Sequence, residues 1–152
     1  MSLQNLLNEN KISKIDNVSI KEVITKFNQA IRFFNDAKKS LNYGGDDTVN
    51  YTKVYDAVRI AGESLLLLKG YRVNRGEGSH YRIIEAIKEI IKGELVKELK
   101  RIEKIRSRRH RIEYGALEVS RKELIEAIKD VERVIVKIDD LIKKRNPQKT
   151  LI

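Results

Sequence analysis

Cysteine is absent from the 152-residue chain, proline occurs once, and only two histidines are present. Without cysteine there is no disulfide scaffold, no zinc ribbon and no thiol nucleophile, and nothing in this speaks against a reducing cytosol. Two histidines with no thiol give no credible transition-metal site, so neither a metal nor a cofactor is expected. Long apolar runs are missing too. The longest wholly aliphatic stretch, Leu65 to Leu68, falls far short of the roughly 20 residues a membrane span needs. No membrane partner is therefore expected. The opening Met1-Ser2-Leu3-Gln4-Asn5 lacks a basic segment leading into an apolar one, so the expected location is cytoplasmic.

What the chain has in excess is positive charge. Lysine and arginine number 32 against 22 acids, a net charge of +10, and charged residues make up 36% of the sequence. Such an excess favours polyanionic partners through counterion release. It is also concentrated. From Lys97 to Arg111 there are eight basic residues against two acids, Glu98 and Glu103.

The length suits one domain able to bury roughly two thirds of its unfolded surface. No repeat or low-complexity stretch interrupts it, and punctuation falls between helical patterns. Ser2 can start a short leading helix, although Met1 to Lys14 is weakly signalled. Ser19-Ile20-Lys21-Glu22 forms a capping box, followed by Val23, Phe27, Ile31, Phe34 and Leu41 at helical spacing. Gly44-Gly45-Asp46-Asp47 ends that helix and prepares one over about 47–69, closed by Gly70. A loop over 71–79 precedes a helix over about 80–92. The next spans about 94–114 and stops at Gly115. Ser120-Arg121-Lys122-Glu123, a second capping box, opens the last helix. No segment alternates with period two over a useful length. The expectation is an all-α, antiparallel up-and-down bundle of four long helices plus a short N-terminal helix. Residues 1–145 would form the single domain, and 146–152, containing Pro147, a polar tail. Beside its main stripe the last helix carries Ala127, Val134 and Leu141. So broad a face can bury against two neighbours in one chain or against a second copy.

The helix over 94–114 carries the chemistry. Leu95, Leu99 and Ile102 define its core line, flanked by Ile105 and Ile112. Steps of four, three and four from Ile102 lead through Arg106, Arg109 and Glu113, on the inward azimuth. Lys97, Lys100, Lys104, Arg108 and Arg111 fall on the solvent side. An inward guanidinium must be paired, hydrated or open to a cleft. Two accounts stand open. Arg109 pairs with Glu113 one turn on, or the arginines face a phosphate in a cleft, with the bidentate geometry that arginine supplies better than lysine. His110 and Tyr114, again one turn apart, stand where either could meet a ribose hydroxyl or phosphate oxygen.

Arg109-His110-Arg111-Ile112-Glu113-Tyr114-Gly115 resembles the Arg-Asn-x-x-Glu-Tyr-Gly signature of one branch of the HEPN superfamily. The resemblance continues through Tyr55-Asp56-Ala57-Val58-Arg59-Ile60-Ala61, Gly70-Tyr71-Arg72 and Gly76-x-Gly78-x-His80, and covers about Phe27 to Leu141. It implies a bundle of four or five helices, usually dimeric, with the motif lining a cleft between protomers. Many such proteins are metal-independent ribonucleases, often toxins paired with a nucleotidyltransferase-type antitoxin; others are inactive and bind nucleotides or RNA. Carried over, Arg109 would stabilise charge on the phosphate, with Arg106 assisting. His110 takes the polar position usually held by Asn, and Tyr114 stands where the catalytic His would be. That is a real departure, because a phenol with a pKa of about 10 is a poorer base at neutral pH than imidazole at about 6.5.

Other candidates are lesser. Arg108, Arg111, Lys104 and His80 would contact nucleic acid, His80 at a helix start where backbone amides also attract anions. Gly76-x-Gly78 is far from a phosphate-binding loop. Glu85 with Glu89, and Asp139 with Asp140, make no metal set. Tyr51 and Tyr55 are expected in the core, with base stacking as the alternative. Three functions stand at this point: a metal-independent endoribonuclease, a silent RNA or nucleotide binder, and a basic partner for an acidic protein.

Overall fold

Serine and aspartate hydroxyls and carboxylates set where the helices begin. The computed structural model describes residues 2–74, 76, 79–113, 115 and 117–145, with the side chains at 79–81 and 113 excepted. Ser2 Oγ accepts the Asn5 amide and starts α1 (Leu3–Asn8). Ser19 Oγ accepts the Glu22 amide at the head of α2 (Ile20–Ser40), and Asp46 accepts that of Val49 at the head of α3 (Asp47–Leu68). Then come α4 (Ser79–Ile91), α5 (Val96–Glu113) and α6 (Arg121–Arg145). At α6 the capping box is complete: Ser120 accepts the Glu123 amide while the Glu123 carboxylate accepts both the amide and the hydroxyl of Ser120.

The result is the expected all-α bundle, in which α2, α3, α5 and α6 are the long helices. Ion pairs record its antiparallel pairings. Glu94–Lys137, Glu98–Arg133 and Arg101–Asp130 step in opposite directions along α5 and α6, the last of them bidentate at 2.8 Å. The centre is α3, which packs against α2, α4, α5 and α6 and buries residues on nearly every side. Gly62 is the point of closest approach to α4. A Cβ there would lie 2.6 Å from both Ile83 Cγ2 and Ile87 Cδ1, in a fully packed region.

The absence of strands does not hold throughout. Ile12–Lys14 (β1) pairs antiparallel with Tyr71–Val73 (β2), within the segment expected as loop. Gly70, at φ +85°, turns the chain out of α3, and its carbonyl accepts the Ile15 amide at 2.8 Å. Strands of three residues leave no periodicity to read. Leu6 and Ile12 pack with Leu66 and Ala86 in a small second core beneath this ribbon.

The breadth of the apolar face of α6 is accounted for within one chain. Ala127 and Val134 are buried and Leu141 is half-buried, packed into the main core shared with α3 and α5. Among the described residues, no helix is long and apolar enough to cross a membrane. The segment 146–152, expected as a polar tail, lies outside the described residues, as does Tyr114.

Candidate functional site

Along α5 the apolar line Leu99, Ile102 and Ile105 is buried, and as expected it gives way to arginine toward the C-terminal end. Arg109 leans onto α3. Its Nη2 lies 3.3 Å from Asp56 Oδ1, and its guanidinium stands 5.7 Å from the centre of the Tyr55 ring. The side chain is 24% exposed, so it is held but not sealed. Asp56, with Tyr55, is the partner that helical-wheel reasoning on α5 alone could not supply, since it comes from another helix 53 positions earlier. The alternative partner, Glu113, has its side chain outside the described residues.

Asp56 belongs to a chain of charges along α3. Its Oδ1 also lies 3.7 Å from Arg59 Nε; Arg59 pairs with Glu63 at 2.9 Å, and Glu63 takes Lys26 of α2 at 2.7 Å. Spacings of three and four place Asp56, Arg59 and Glu63 on one face of α3.

Arg106 sits one turn before Arg109 and is about a third exposed, with Nε 3.3 Å from Glu103 Oε1. Burial pushes the Glu103 carboxyl above its ordinary range, while Arg106 and Lys88 draw it back down. Tyr55, fully buried between these groups, has its phenol pushed up by burial. Arg106 opposes that shift, Glu103 adds to it, and Arg59 and Arg109 oppose it again. The phenol is therefore neutral, and its ring is an aromatic support for the arginine. A fully buried ring is not a surface for stacking bases, and Tyr51, also buried, is not one either.

The remaining residues separate by environment. Arg108, expected on the solvent side, is half-buried instead: it donates to Glu123 of the α6 capping box and lies over Tyr51 at 5.7 Å. The physical reason is the proximity of the α6 start, which offers a carboxylate to whatever leaves α5 on that side. Burial raises the Tyr51 phenol, with Arg108 acting against it. Lys104 and Arg111 are exposed, as are Lys97 and Lys100, and none of the four is ion-paired among the described residues. His110 is exposed as well. His80 falls in the first turn of α4, its side chain outside the described residues. So Arg106 and Arg109 are brought together around Tyr55, Lys104 and Arg111 lie outward, and Arg108 is engaged elsewhere. Among the described residues, no group of three or more His, Cys, Asp or Glu side chains is gathered as a metal would need.

The fold is thus an all-α bundle in which α5 sets Arg109 against the Asp56 carboxylate of the central helix and pairs Arg106 with its own Glu103. The chain belongs to the HEPN domain family, whose model matches residues 25–141. No curated protein and no solved structure matches it.

Proposed function

We propose that this HEPN protein associates with RNA and receives a phosphodiester at the Arg106–Arg109 end of α5. The observation that carries the reading is a guanidinium positioned by Asp56 and Tyr55 and still open to solvent. A donor fixed in advance stabilises an arriving negative charge without first being reorganised. The stripe of Lys97, Lys100, Lys104 and Arg111 on the outward side of the same helix adds sequence-independent attraction to a phosphate backbone. His80 would add an anion contact at the start of α4. Arg108, already engaged by Glu123, has the smaller share.

In its catalytic form this is a metal-independent endoribonuclease of toxin type. A ribose 2′-hydroxyl attacks the adjacent phosphorus, a new P–O bond forms, and the 5′-oxygen of the next nucleotide leaves. Arg109 and Arg106 neutralise charge on the phosphate; Tyr114 or His110 orients or moves the proton. The motif branch with Arg109-x-x-x-Glu113-Tyr114-Gly115 belongs to the same proposal. So do a second copy of the chain and a nucleotidyltransferase-type antitoxin as partners, and a cytoplasmic location. The phenol at 114 favours the alternative of an RNA or nucleotide binder that does not turn over.

The test is cleavage of single-stranded RNA in the presence of EDTA. Turnover that survives EDTA and falls about 100-fold or more in Arg109→Ala, the scale of losing one charge-stabilising donor, establishes the enzyme. RNA binding without turnover, weakened in Arg109→Ala, establishes the silent binder. If neither RNA binding nor turnover responds to Arg109→Ala, the proposal fails.

A further inference from the structure

The carboxylates around Arg106 and Arg109 differ in what holds them. Asp56 has two arginines, Arg59 and Arg109. Glu123 is occupied by the α6 cap and by Arg108, and Glu85 of α4 by Lys88 at 3.3 Å. Glu103 has one partner. Its Oε1 lies 3.3 Å from Arg106 Nε, and its Oε2 takes no hydrogen bond or ion pair among the described residues. The side chain is 18% exposed, less than the 35% of its arginine.

Stability gives little reason for a carboxylate at this place. It is faced by Glu85 and Lys88 from α4, by the Tyr55 phenol from α3, and by Arg106 on its own helix. Burial works against its charge, and Glu85 repels it. A half-buried acid with one oxygen unmatched marks a place where a donor is missing. Along the helix axis Glu103 stands about 4.5 Å before Arg106 and about 9 Å before Arg109, at 1.5 Å per residue. A phosphodiester carries the 2′-hydroxyl of its own ribose on the carbon next to the one that bears the ester oxygen. Hydroxyl and phosphate therefore arrive together, at neighbouring side chains.

We propose that Glu103 reads the ribose: its Oε2 accepts the 2′-hydroxyl of the nucleotide whose phosphate Arg106 and Arg109 hold. This rests on the phosphodiester reading of that end of α5 and adds a source of preference for RNA over DNA. A deoxyribose leaves the oxygen unmatched, and a site built around a hydroxyl rejects the analogue that lacks it. Where the strand is cleaved, the same contact moves the proton. The 2′-hydroxyl proton passes to the Glu103 carboxylate, the freed oxygen bonds to phosphorus, and the P–O5′ bond breaks. The departing oxygen takes a proton from Tyr114 or His110, and exchange with water resets both groups. A phenol, with an ordinary pKa of about 10, is better suited to giving that proton than to taking the first one.

The experiment titrates full-length protein, in EDTA, with fluorescein-labelled ten-nucleotide single strands of one sequence, as RNA and as DNA. It compares wild type with Glu103→Ala, Glu103→Gln, Glu85→Gln and Arg109→Ala, each checked for folding by its urea midpoint. Wild type is expected to prefer RNA by about tenfold, the scale of one unmatched acceptor, and Glu103→Ala to bring the preference down to about threefold or less. Glu103→Gln keeps the shape and a neutral acceptor, and is expected to retain about a third of the preference, a charged acceptor being about twice as strong. Where RNA is turned over, kcat/KM is expected to rise with pH as the Glu103 carboxyl ionises, and Glu103→Gln to flatten that rise. Glu85→Gln removes equal charge from the facing helix and is expected to leave the RNA-to-DNA ratio unmoved. Equal binding of both strands to wild type, or a ratio unmoved in both Glu103 variants, overturns the inference; the phosphodiester reading then stands if Arg109→Ala still weakens RNA. No binding of either strand to wild type, or RNA affinity unmoved in Arg109→Ala, removes that reading and the inference with it.

Discussion

At the scale of single residues, Asp56 and Tyr55 decide what Arg109 can be. Asp56 is shared by Arg109 and Arg59, and all three are partly buried. Asp56→Asn is expected to lower stability by about 1 kcal/mol, the upper end for an ion pair discounted for partial exposure. RNA affinity would fall less than in Arg109→Ala, because the guanidinium stays. Urea unfolding and RNA titration of both variants check this, and equal loss of RNA affinity in the two would contradict it. Tyr55 makes a pH prediction. Its phenol ionises at a higher pH in the folded chain than in the unfolded one. Its contribution is thus complete below about pH 10, the ordinary tyrosine value, and is lost as pH rises beyond that. The urea midpoint is expected to fall above pH 10, and less steeply in Tyr55→Phe. A profile identical to wild type would show that the alkaline loss comes from elsewhere. The arginines were legible from steps of three and four along one helix. Asp56 was legible only as part of a block in the resemblance, because an α5 pattern says nothing of what lies across from it.

At the scale of elements, two features explain how α3 can sit at the centre. Glycine inside a helix costs about 1 kcal/mol relative to alanine, yet at Gly62 even a methyl group would press into Ile83 and Ile87. Gly62→Ala is expected to destabilise by about 1–3 kcal/mol despite its better helix propensity, as overpacking does. A raised urea midpoint would mean that α4 gives way. The start of α6 is the second feature. Ser120 and Glu123 cap each other, and Glu123 also receives Arg108 from α5. Ser120→Ala is expected to cost about 1 kcal/mol, the usual value of a lost cap, read from the same unfolding curve. Capping boxes and stripes placed the helices within two residues or so of their observed ends, because caps and periodicity are local. The pairing of β1 with β2 was not legible. It joins residues about sixty positions apart over three rungs, and nothing local marks it.

At the scale of the whole molecule, the net charge of +10 divides into engaged and available parts. Arg101, Arg106, Arg108 and Arg109 have carboxylate partners, while Lys97, Lys100, Lys104 and Arg111 present an open stripe. Log affinity for single-stranded RNA is expected to fall linearly with log salt. Lys104→Ala/Arg111→Ala should reduce the slope by about 1.4, at about 0.7 per phosphate contact. An unchanged slope would place the strand elsewhere. The wide apolar face of α6 left open whether it served one chain or two, and the packing of α6 against α3 and α5 accounts for it within one. The proposed dimer therefore rests on the family resemblance, and sedimentation at micromolar concentrations tests it directly.

Spacing and capping, read along the chain, were enough for an all-α bundle and for the inward turn of Arg106 and Arg109, while the resemblance to HEPN proteins rested on ordered residue blocks and is borne out by the family match over residues 25–141. Those properties are local, since a helix repeats every three to four residues whatever it packs against. Only the tertiary structure decided that Arg109 meets Asp56, that Arg108 is drawn to the cap of α6, and that Glu103 is faced by Glu85 and Lys88 of α4. Each of these joins side chains from separate elements, and periodicity records which face turns inward without naming the partner that waits there.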